Sequence, residues 1–448
     1  MSYFDRANRN LVASGRGAAT DLIPTLNASA TPVSVSSFAS SQAVLGYFSR
    51  VTYDYKQKHL LTLNARYDGA SNLGQNNKWG FFPGISAGWN IHHEDFWANN
   101  KSISSLKLRG SYGENGNLGI LSDFQAQGQY SVGARYDGVA AVEYAVMANQ
   151  DLKWEQSKTL GVGLDAGFLN DRIRLIADYY NRITENLITT LSLPQETGFS
   201  SILTNLGSLG NKGFELELSA NLVRGSAFRW DLGLNTSYNV NKILKLPDNE
   251  NDNNRVGGFL IYDAEKKDYA WKGGLQEGIK PGELYGYKQL SIYATDEEAA
   301  AGPKDELVAG ANKSKFGGDV NWLDSDGNNV IDTKDRVYMG NIYPKWTGGA
   351  STTLSFKDLS LYARVDYTTG HTIYNYVRAQ MNGQFHGDAN ATTDILRSWL
   401  KQGDQTDIPR YYWADQAAQA NYWRGDPRNV NNGGGRSLDY EKGDYLAL

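Results

Sequence analysis

Apolar and polar residues alternate along several long stretches of the chain. The clearest stretch starts at Val162, turns at Asn170-Asp171 and continues to Tyr180, which predicts a hairpin with one apolar and one largely polar side. The polar side carries charges that a packed sandwich core would not accept unpaired: Asp165, Arg174, Asp178 and Arg182. A barrel that is apolar outside and wet inside accepts them. We therefore predict an all-β fold, an antiparallel transmembrane barrel, rather than a soluble sandwich or propeller.

Three further hairpins repeat this pattern, within residues 45–67, 214–240 and 352–367. Most of their apolar-polar runs approach or exceed the 9–11 residues or so that a membrane-spanning strand needs, whereas soluble strands usually have about 5–6. Tight turns are predicted near residues 56–58, 224–226 and 357–358, with long, extracellular loops between hairpins. Further carboxylates fall on the polar side, and we interpret them as lumen wall paired to Arg174 and Arg182 rather than as a catalytic pair: Glu215, Glu217 and Asp231.

Composition supports a barrel and excludes several other classes. Many glycines (48), many tyrosines (28) and few prolines (10) suit turns, strands and interfacial aromatic girdles. The mean hydropathy of −0.51 and the lack of a long apolar run argue against a transmembrane helix. A net charge of −5 gives no basic surface for nucleic acid, and the absence of cysteine removes disulfides and thiolate metal sites.

The two ends of the chain differ in pattern. Residues 1–42 are polar and rich in Ser, Ala, Asn and Thr, and we expect a loop or a remnant of upstream barrel. Residues 43–448 are expected to form barrel strands and extracellular loops. The N-terminus shows no basic segment followed by an apolar one, so we expect any export signal to lie upstream of this chain.

Short blocks of residues between 43 and 448 resemble, in the same order, blocks of a known family. They include RYDGAS at 66–71, WGFFP at 79–83, LKLRGSYGENGN at 106–117, DLKWE at 151–155, NKGFE at 211–215 and DYLAL at 444–448. Each block alone is weak, but together they resemble the SusC/RagA family of TonB-linked outer-membrane transporters of Bacteroidota.

This resemblance implies a fold, a location and partners. The chain would be part of a 22-strand barrel in the bacterial outer membrane, without the plug domain and without the final strands. It would not be an enzyme but part of an importer of oligosaccharides or peptides. A SusD-like lipoprotein would capture the cargo, and the TonB–ExbB–ExbD system would act through the missing N-terminal part. The alternative is a non-transporting surface β-protein that binds carbohydrate or a protein partner.

One segment has the ligand spacing of an EF-hand calcium loop. Counted from Asp324, oxygen ligands fall at the expected positions, with a main-chain carbonyl at the seventh: Asp324, Asp326, Asn328, Val330, Asp332 and Asp335. Asn329 replaces the usual Gly, and Asp335 replaces the bidentate Glu, so the reach of the last ligand is shorter. We predict a calcium site here, with a solvated turn rich in Asp and Asn as the alternative.

Aromatic residues in the long loops have two interpretations. They could stack on sugar rings or contact a partner protein, or they could serve ordinary loop packing. The candidates for cargo or partner contact are Trp271, Trp322, Tyr411, Tyr412 and Trp413.

Overall fold

The computed structural model describes residues 1–18, 20, 22–23, 25–97, 100, 102–119, 121–307, 315–383, 392–410 and 440–447. The chain divides into two compact units, one of Met1–Ala166 with Tyr180–Gly210 and the other of Gly167–Tyr179 with Asn211–Leu448. Over the described residues both units consist mainly of strands, and the predicted all-β class is confirmed. No helix among the described residues has the length and apolar character needed to cross a membrane.

Long antiparallel strands dominate the first unit. Its strands, including β8 and β9 that cross the unit boundary, are β1 Ser2–Ala18, β2 Ser29–Tyr55, β3 His59–Ala70, β4 Trp79–Asn90, β5 Ile103–Asn117, β6 Gln129–Tyr136, β7 Val139–Val146, β8 Glu155–Phe168, β9 Ile173–Glu185, β10 Ile188–Ser192 and β11 Ser201–Asn205. The long strands lie side by side in the order β1-β2-β3-β4-β5-β8, and β6 pairs with β7 and β10 with β11. The predicted tight turn at residues 56–58 joins β2 to β3.

The registers of β2, β3 and β4 keep apolar residues opposite apolar residues. Val51 lies opposite Leu63, which lies opposite Ile85, whereas the next row pairs Thr52 with Thr62. Since neighbours along a strand point to opposite sides, one side of these strands is apolar and the other mostly polar. Aromatic rings cluster at both ends of the apolar stretch of β2 and its partners: Tyr47, Tyr67 and Trp79 at one end, and Tyr55, His59 and Trp89 at the other. A stretch of this length between two girdles matches the apolar band of a membrane barrel.

The structure differs from the sequence interpretation over residues 1–42, most of which is strand rather than loop. β1 pairs with β2 from Ser2 opposite Gly46 to Ala18 opposite Ser29. Most side chains on both sides of this ribbon are exposed, including those of Leu11 and Val35. Because neither side is buried, the sequence of this ribbon does not need to alternate between apolar and polar residues, and the strands cannot be detected from such a pattern. The interpretation as a remnant of upstream barrel stays a prediction.

The second unit combines long strands with a set of short ones. Its elements are β12 Ser208–Arg224, β13 Phe228–Lys245, β14 Phe259–Asp263, β15 Asp268–Lys272, β16 Glu283–Gly286, β17 Gln289–Ile292, β18 Lys304–Asp305, β19 Val320–Trp322, β20 Val330–Ile331, β21 Val337–Asn341, β22 Trp346–Phe356, β23 Leu359–Thr369, β24 Thr372–Tyr374, β25 Tyr440–Lys442 and β26 Tyr445–Ala447, with helices α1 Asp296–Ala301 and α2 Tyr376–Gly383. The long strands lie in the order β12-β13-β22-β23-β26. The turns predicted at 224–226 and 357–358 are confirmed.

The second unit repeats the two-sided register. Leu234 lies opposite Ala350, which lies opposite Val365, whereas the adjacent row pairs Asn235 with Gly349. The rings of Phe214, Tyr238 and Trp346 meet at one end of this apolar side, with centroids 4.8 to 5.6 Å apart. Each unit therefore carries its own apolar belt and its own aromatic boundary.

The short elements of the second unit enclose a small core of their own. The pairs are β14 with β15, β16 with β21, β17 with β19, and the parallel pair β18 with β20. Seven buried side chains form the core: Tyr287, Ile292, Leu307, Val320, Trp322, Ile331 and Trp399. The long predicted loops are thus folded structures rather than open connections.

Candidate functional site

A polar cavity of about 770 Å³ lies on the polar side of the second unit. Three of the predicted lumen-wall carboxylates line it, namely Asp178, Glu215 and Glu217. Asp366 also lines it and receives a bidentate pair of hydrogen bonds from Arg364. The structure therefore brings part of the predicted lumen wall together on one surface, and this surface is rich in negative charge.

The first unit has a second polar cavity, of about 730 Å³. Arg182 lines it and donates from Nε to the hydroxyl of Thr159 at 3.1 Å. Gly84 and Gly113 lie opposite each other in the wall, and a Cβ atom at either position would meet nothing closer than 3.8 Å. The absence of side chains at this pair keeps this part of the wall open.

The predicted partners of the lumen-wall carboxylates need correction. Asp165 pairs with Arg109, whose Nη2 lies 2.8 Å from Oδ1 and whose Nε also donates to the carboxylate. Arg174 instead lies 3.4 Å from Asp171 in the turn that starts its own strand. Alternation fixes the side on which a residue lies, but the partner depends on the stagger between strands, which the pattern does not contain.

The remaining predicted lumen-wall residue, Asp231, lies near the tight turn between β12 and β13. Its carboxylate accepts a hydrogen bond from the amide of Asn221, and Arg224 donates to the Asn221 side-chain oxygen. Asp231 thus belongs to a polar network at the turn.

The segment 324–335 forms a closed turn built around carboxylates. Asp324 accepts hydrogen bonds from the main-chain N–H groups of Gly327 and Asn329 at 2.9 and 2.8 Å. Asn329 has a φ of 65°, the left-handed conformation expected where Asn replaces Gly. Asp324, Asp326 and Asp335 each place a carboxylate oxygen within 4.8 Å of the others. Carboxylate oxygens converging in one turn suit a hard cation such as calcium.

Asp335 is fully buried at the end of this turn. It accepts hydrogen bonds from the main-chain N–H groups of Ser325 and Asp332, both at 2.7 Å. Burial raises the pKa of Asp335 to about 6, although these two hydrogen bonds act in the opposite direction. Burying the charged Asp335 carboxylate costs free energy, and a cation bound between it and Asp324 and Asp326 would offset this cost.

Two other predicted ligands differ in their surroundings. Asp332 is not among the three converging carboxylates; it caps the single helical turn Thr333–Asp335 and lies 3.7 Å from the ammonium group of Lys334. Asn328 accepts from the Val330 main-chain N–H group at 2.7 Å and so shapes the turn. The spacing alone could not separate a capping Asp from a ligating one.

Tyr269 is a neighbour of this turn that the sequence did not reveal. Its hydroxyl donates to Asp326 at 2.6 Å, and this bond raises the pKa of Tyr269 to about 12. The ammonium group of Lys334 lies 5.1 Å from the centre of its ring. Tyr269 belongs to β15, so the β14–β15 hairpin holds one of the converging carboxylates in place.

The predicted loop aromatics separate into buried and exposed residues. Trp322 is only 2% exposed and packs in the core with Tyr287 and Trp399, so its prediction as a cargo contact is wrong. Trp271 is 44% exposed and remains a candidate. Tyr411, Tyr412 and Trp413 lie outside the described residues.

Arg255 is a candidate binding residue that the sequence analysis missed. The guanidinium carbon lies 3.5 Å from the centre of the Trp271 ring. One weak signal was available, because Arg255 precedes Gly257-Gly258 and Trp271 precedes Gly273-Gly274 in the same connection. Paired glycines mark sharp backbone turns that could bring the two residues together.

Comparison with known proteins identifies the family. A sequence-family model described as TonB dependent receptor-like, beta-barrel matches residues 3–274. The chain belongs to this family. The TonB-dependent receptor P3 of Formosa agariphila is 32% identical over 419 residues, which cover 91% of this chain and 40% of that receptor. The TonB-dependent receptor SusC of Bacteroides thetaiotaomicron is 28% identical and covers 85% of this chain.

Solved structures support the same fold. A structure of the RagAB peptide transporter covers 100% of this chain with a TM-score of 0.75 and 21% identity, and this chain spans 45% of it. The chain also spans about 40% of the length of the curated relatives. As a member of the TonB-dependent receptor β-barrel family, the chain is a bacterial outer-membrane protein, and its relatives are receptors rather than enzymes.

Proposed function

We propose that this chain forms part of the barrel of an importer for oligosaccharides or peptides. The observation that supports the proposal most strongly is the family match over residues 3–274, together with a register that separates an apolar from a polar side in both units. A polar interior wall with cavities of several hundred Å³ suits hydrated cargo. The names of the relative, TonB-dependent receptor SusC, and of the RagAB peptide transporter support TonB-dependent import, and we propose that a SusD-like lipoprotein and TonB–ExbB–ExbD act with this protein.

The experiment deletes the gene from the source bacterium and restores it with the full-length gene. Uptake of a fluorescent oligosaccharide and of a fluorescent peptide is measured with and without a protonophore, and surface binding is measured at low temperature. Import predicts that uptake of one cargo class fails on deletion, returns on restoration and stops with the protonophore. Loss of surface binding with unchanged uptake would contradict import and favour the alternative, a non-transporting surface protein.

The partner proposal has its own readout. A tagged full-length protein, extracted from outer membranes in mild detergent, is expected to copurify with one lipoprotein in near-equal amount. Purification without any lipoprotein would contradict the proposed SusD-like partner while leaving the uptake result intact.

We further propose that the turn 324–335 binds calcium through Asp324, Asp326 and Asp335. Its support is the convergence of three carboxylates within 4.8 Å, one of them fully buried. The bound ion would supply positive charge that stabilises the buried carboxylate and the fold of the turn.

Terbium luminescence tests the calcium proposal. Tyr269 bonds to Asp326, so its excitation should sensitise a terbium ion in the turn, and calcium should quench the signal by displacement. Asp324→Asn should weaken binding by about tenfold or more, whereas the matched control Asp332→Asn should retain it. A terbium signal that neither calcium nor Asp324→Asn changes would contradict the proposal.

A further inference from the structure

The exposed side of the β14–β15 hairpin carries a row of aromatic rings. Leu260 lies opposite Trp271, and Tyr262 lies opposite Tyr269, so these four residues share one side of the hairpin. The other side of the hairpin is turned inward, and Ile261 on that side is only 5% exposed. Trp271 and Tyr269 are 44% and 41% exposed. The hairpin thus presents an aromatic surface to solvent, on which the rings of Tyr262 and Tyr269 meet edge to face at 70°.

Arg255 adds a positive charge to this surface. Its guanidinium carbon lies 3.5 Å from the centre of the Trp271 ring, and no carboxylate among the described residues forms an ion pair with it. The contacts among described residues use one of its donors, Nη1, which donates to the Gly257 carbonyl at 3.1 Å. Its Nε is buried, so Nη2 and the second N–H of Nη1 are the donors that remain for an oxyanion.

The backbone holds Arg255 and Trp271 in fixed positions. Val256 and Leu275 exchange main-chain hydrogen bonds of 2.9 and 3.0 Å. These bonds join the residue that follows Arg255 to the segment that follows β15. Gly274 has a φ of 65°, and a Cβ atom there would lie 2.5 Å from the main-chain nitrogen of Gly258. A cation and a ring placed in this way are organised before any ligand arrives.

We infer that Arg255 and Trp271 form a recognition site for an acidic oligosaccharide at the surface of this protein. The face of the Trp271 ring that Arg255 does not cover would receive the apolar side of a sugar ring, and the guanidinium would bind its carboxylate or sulfate group. A peptide bound as an added strand would pair with the outer edge of β14 or β15 and would not lie over the rings, whereas a sugar ring stacks on an exposed aromatic face beside the guanidinium. This inference rests on the proposed function, because it narrows the cargo to an anionic saccharide.

Calorimetric titration of the full-length protein in detergent tests the inference with four probes. These are an oligogalacturonate, which carries carboxylates, a carrageenan oligosaccharide, which carries sulfates, neutral maltohexaose, and hexaglutamate as an acidic peptide. The protein is expected to bind one of the two acidic saccharides at least about tenfold more tightly than maltohexaose or hexaglutamate, and added salt should weaken this binding. The acidic saccharide that binds more tightly shows whether the site recognises a carboxylate or a sulfate group.

Four variants separate recognition from folding. Arg255→Gln should weaken binding of the preferred acidic saccharide about tenfold, and Arg255→Lys should recover only part of this loss because it lacks the planar fork. Trp271→Leu should weaken it as well. The matched control Lys266→Gln removes an exposed charge from the turn of the same hairpin and should change affinity less than about twofold.

The outcomes distinguish the site from the import proposal. Equal binding of acidic and neutral saccharides, tighter binding of hexaglutamate, or unchanged binding by Arg255→Gln would overturn the site while leaving uptake results intact. Binding that depends on Arg255, in cells that take up no cargo, would overturn import but support the site.

Discussion

Arg109 and Asp165 form the best-defined ion pair on the polar side of the first unit. Both donors of the Arg109 fork reach the same carboxylate, at 2.8 to 3.0 Å. Arg174 and Asp171 make a longer single contact of 3.4 Å with a more exposed guanidinium. An ion pair with bidentate geometry in a less exposed position contributes more to the free energy of unfolding.

We therefore expect Arg109→Gln to destabilise the protein and Arg174→Gln to have little effect. About a third of each side chain in the Arg109–Asp165 pair is exposed, so solvent screening reduces the cost to about 1 kcal/mol. The control should cost about 0 to 0.5 kcal/mol. Thermal denaturation in detergent, followed by gel mobility of the folded form, measures both. Equal shifts for the two variants would contradict the assigned role of Arg109.

Trp322 and Trp271 differ in burial because of tertiary packing. Both lie in polar connections, and their local sequences do not tell them apart. Trp322 is buried because Tyr287 and Trp399 close over it, and Trp399 is distant in the chain. The burial of Trp322 therefore could not be predicted from local pattern, whereas the exposure of Trp271 agreed with the default for a loop residue.

This difference predicts opposite sensitivities to truncation. Trp322→Ala should cost about 3–5 kcal/mol of local stability, because it leaves a cavity in the small core. Trp271→Ala should cost less than about 1 kcal/mol. Protease susceptibility of residues 283–342, with mass-spectrometric mapping of the cuts, reports local opening. Faster cleavage in Trp271→Ala than in Trp322→Ala would contradict the packing described for this core.

Asp263 predicts a pH dependence of the β14–β15 hairpin. The hydrogen bond and charge of Lys272, 2.8 Å away, lower the pKa of Asp263 from its ordinary value of 3.8. A lowered pKa means that the ionised form stabilises the folded hairpin; this contribution is present above pH 3.8 and is lost as the pH falls below that value.

Hydrogen exchange of the hairpin amides, corrected for intrinsic rates, measures this effect. Protection should be constant from neutral pH to about 5 and should fall only below the ordinary carboxyl pKa. In Asp263→Asn this acid-dependent fall should be absent. A fall in the wild type between pH 7 and 5, or an unchanged profile in Asp263→Asn, would argue against the ion pair.

At the scale of elements, the tight hairpins were predictable and the β1–β2 ribbon was not. In β2–β3 and β22–β23 an apolar side faces away from a polar one, and the period-two pattern is visible over the whole length. The ribbon exposes both sides, so its pairing depends on backbone hydrogen bonds that any polar sequence can make. Likewise, short strands such as β18 and β20 are too short to show a period.

The two-sided register predicts asymmetric tolerance to charge. Val51 lies in the middle of the apolar row opposite Leu63, and Thr52 lies in the polar row opposite Thr62. Val51→Arg should cost about 2–4 kcal/mol, the range for a charge at the middle of the lipid-facing band of a barrel. Thr52→Arg should be nearly neutral. The amount of heat-resistant folded protein in outer membranes measures both, and equal loss would contradict the assigned sides.

At the scale of the whole molecule, the family was predictable from the order of short residue blocks and is confirmed by the match over residues 3–274. Cargo was not predictable, because cargo contacts depend on surface residues brought together by folding. Arg255 and Trp271 illustrate this point, since their contact at 3.5 Å follows from two glycine turns and a hairpin register. The calcium-type spacing was detectable, but the capping role of Asp332 appeared only in three dimensions.

We assign one side of the long strands to lipid and the other side to water. The chain has no cysteine, so single cysteines can be placed at Val51 and Leu63 on the apolar side and at Thr52 and Thr62 on the polar side of the full-length protein. In intact outer membranes, we expect a water-soluble maleimide to label positions 52 and 62, and a lipid-soluble fluorescent maleimide to label 51 and 63 with an apolar emission spectrum. Labelling of all four positions by the water-soluble maleimide, or of 51 and 63 alone, would contradict this assignment of the two sides.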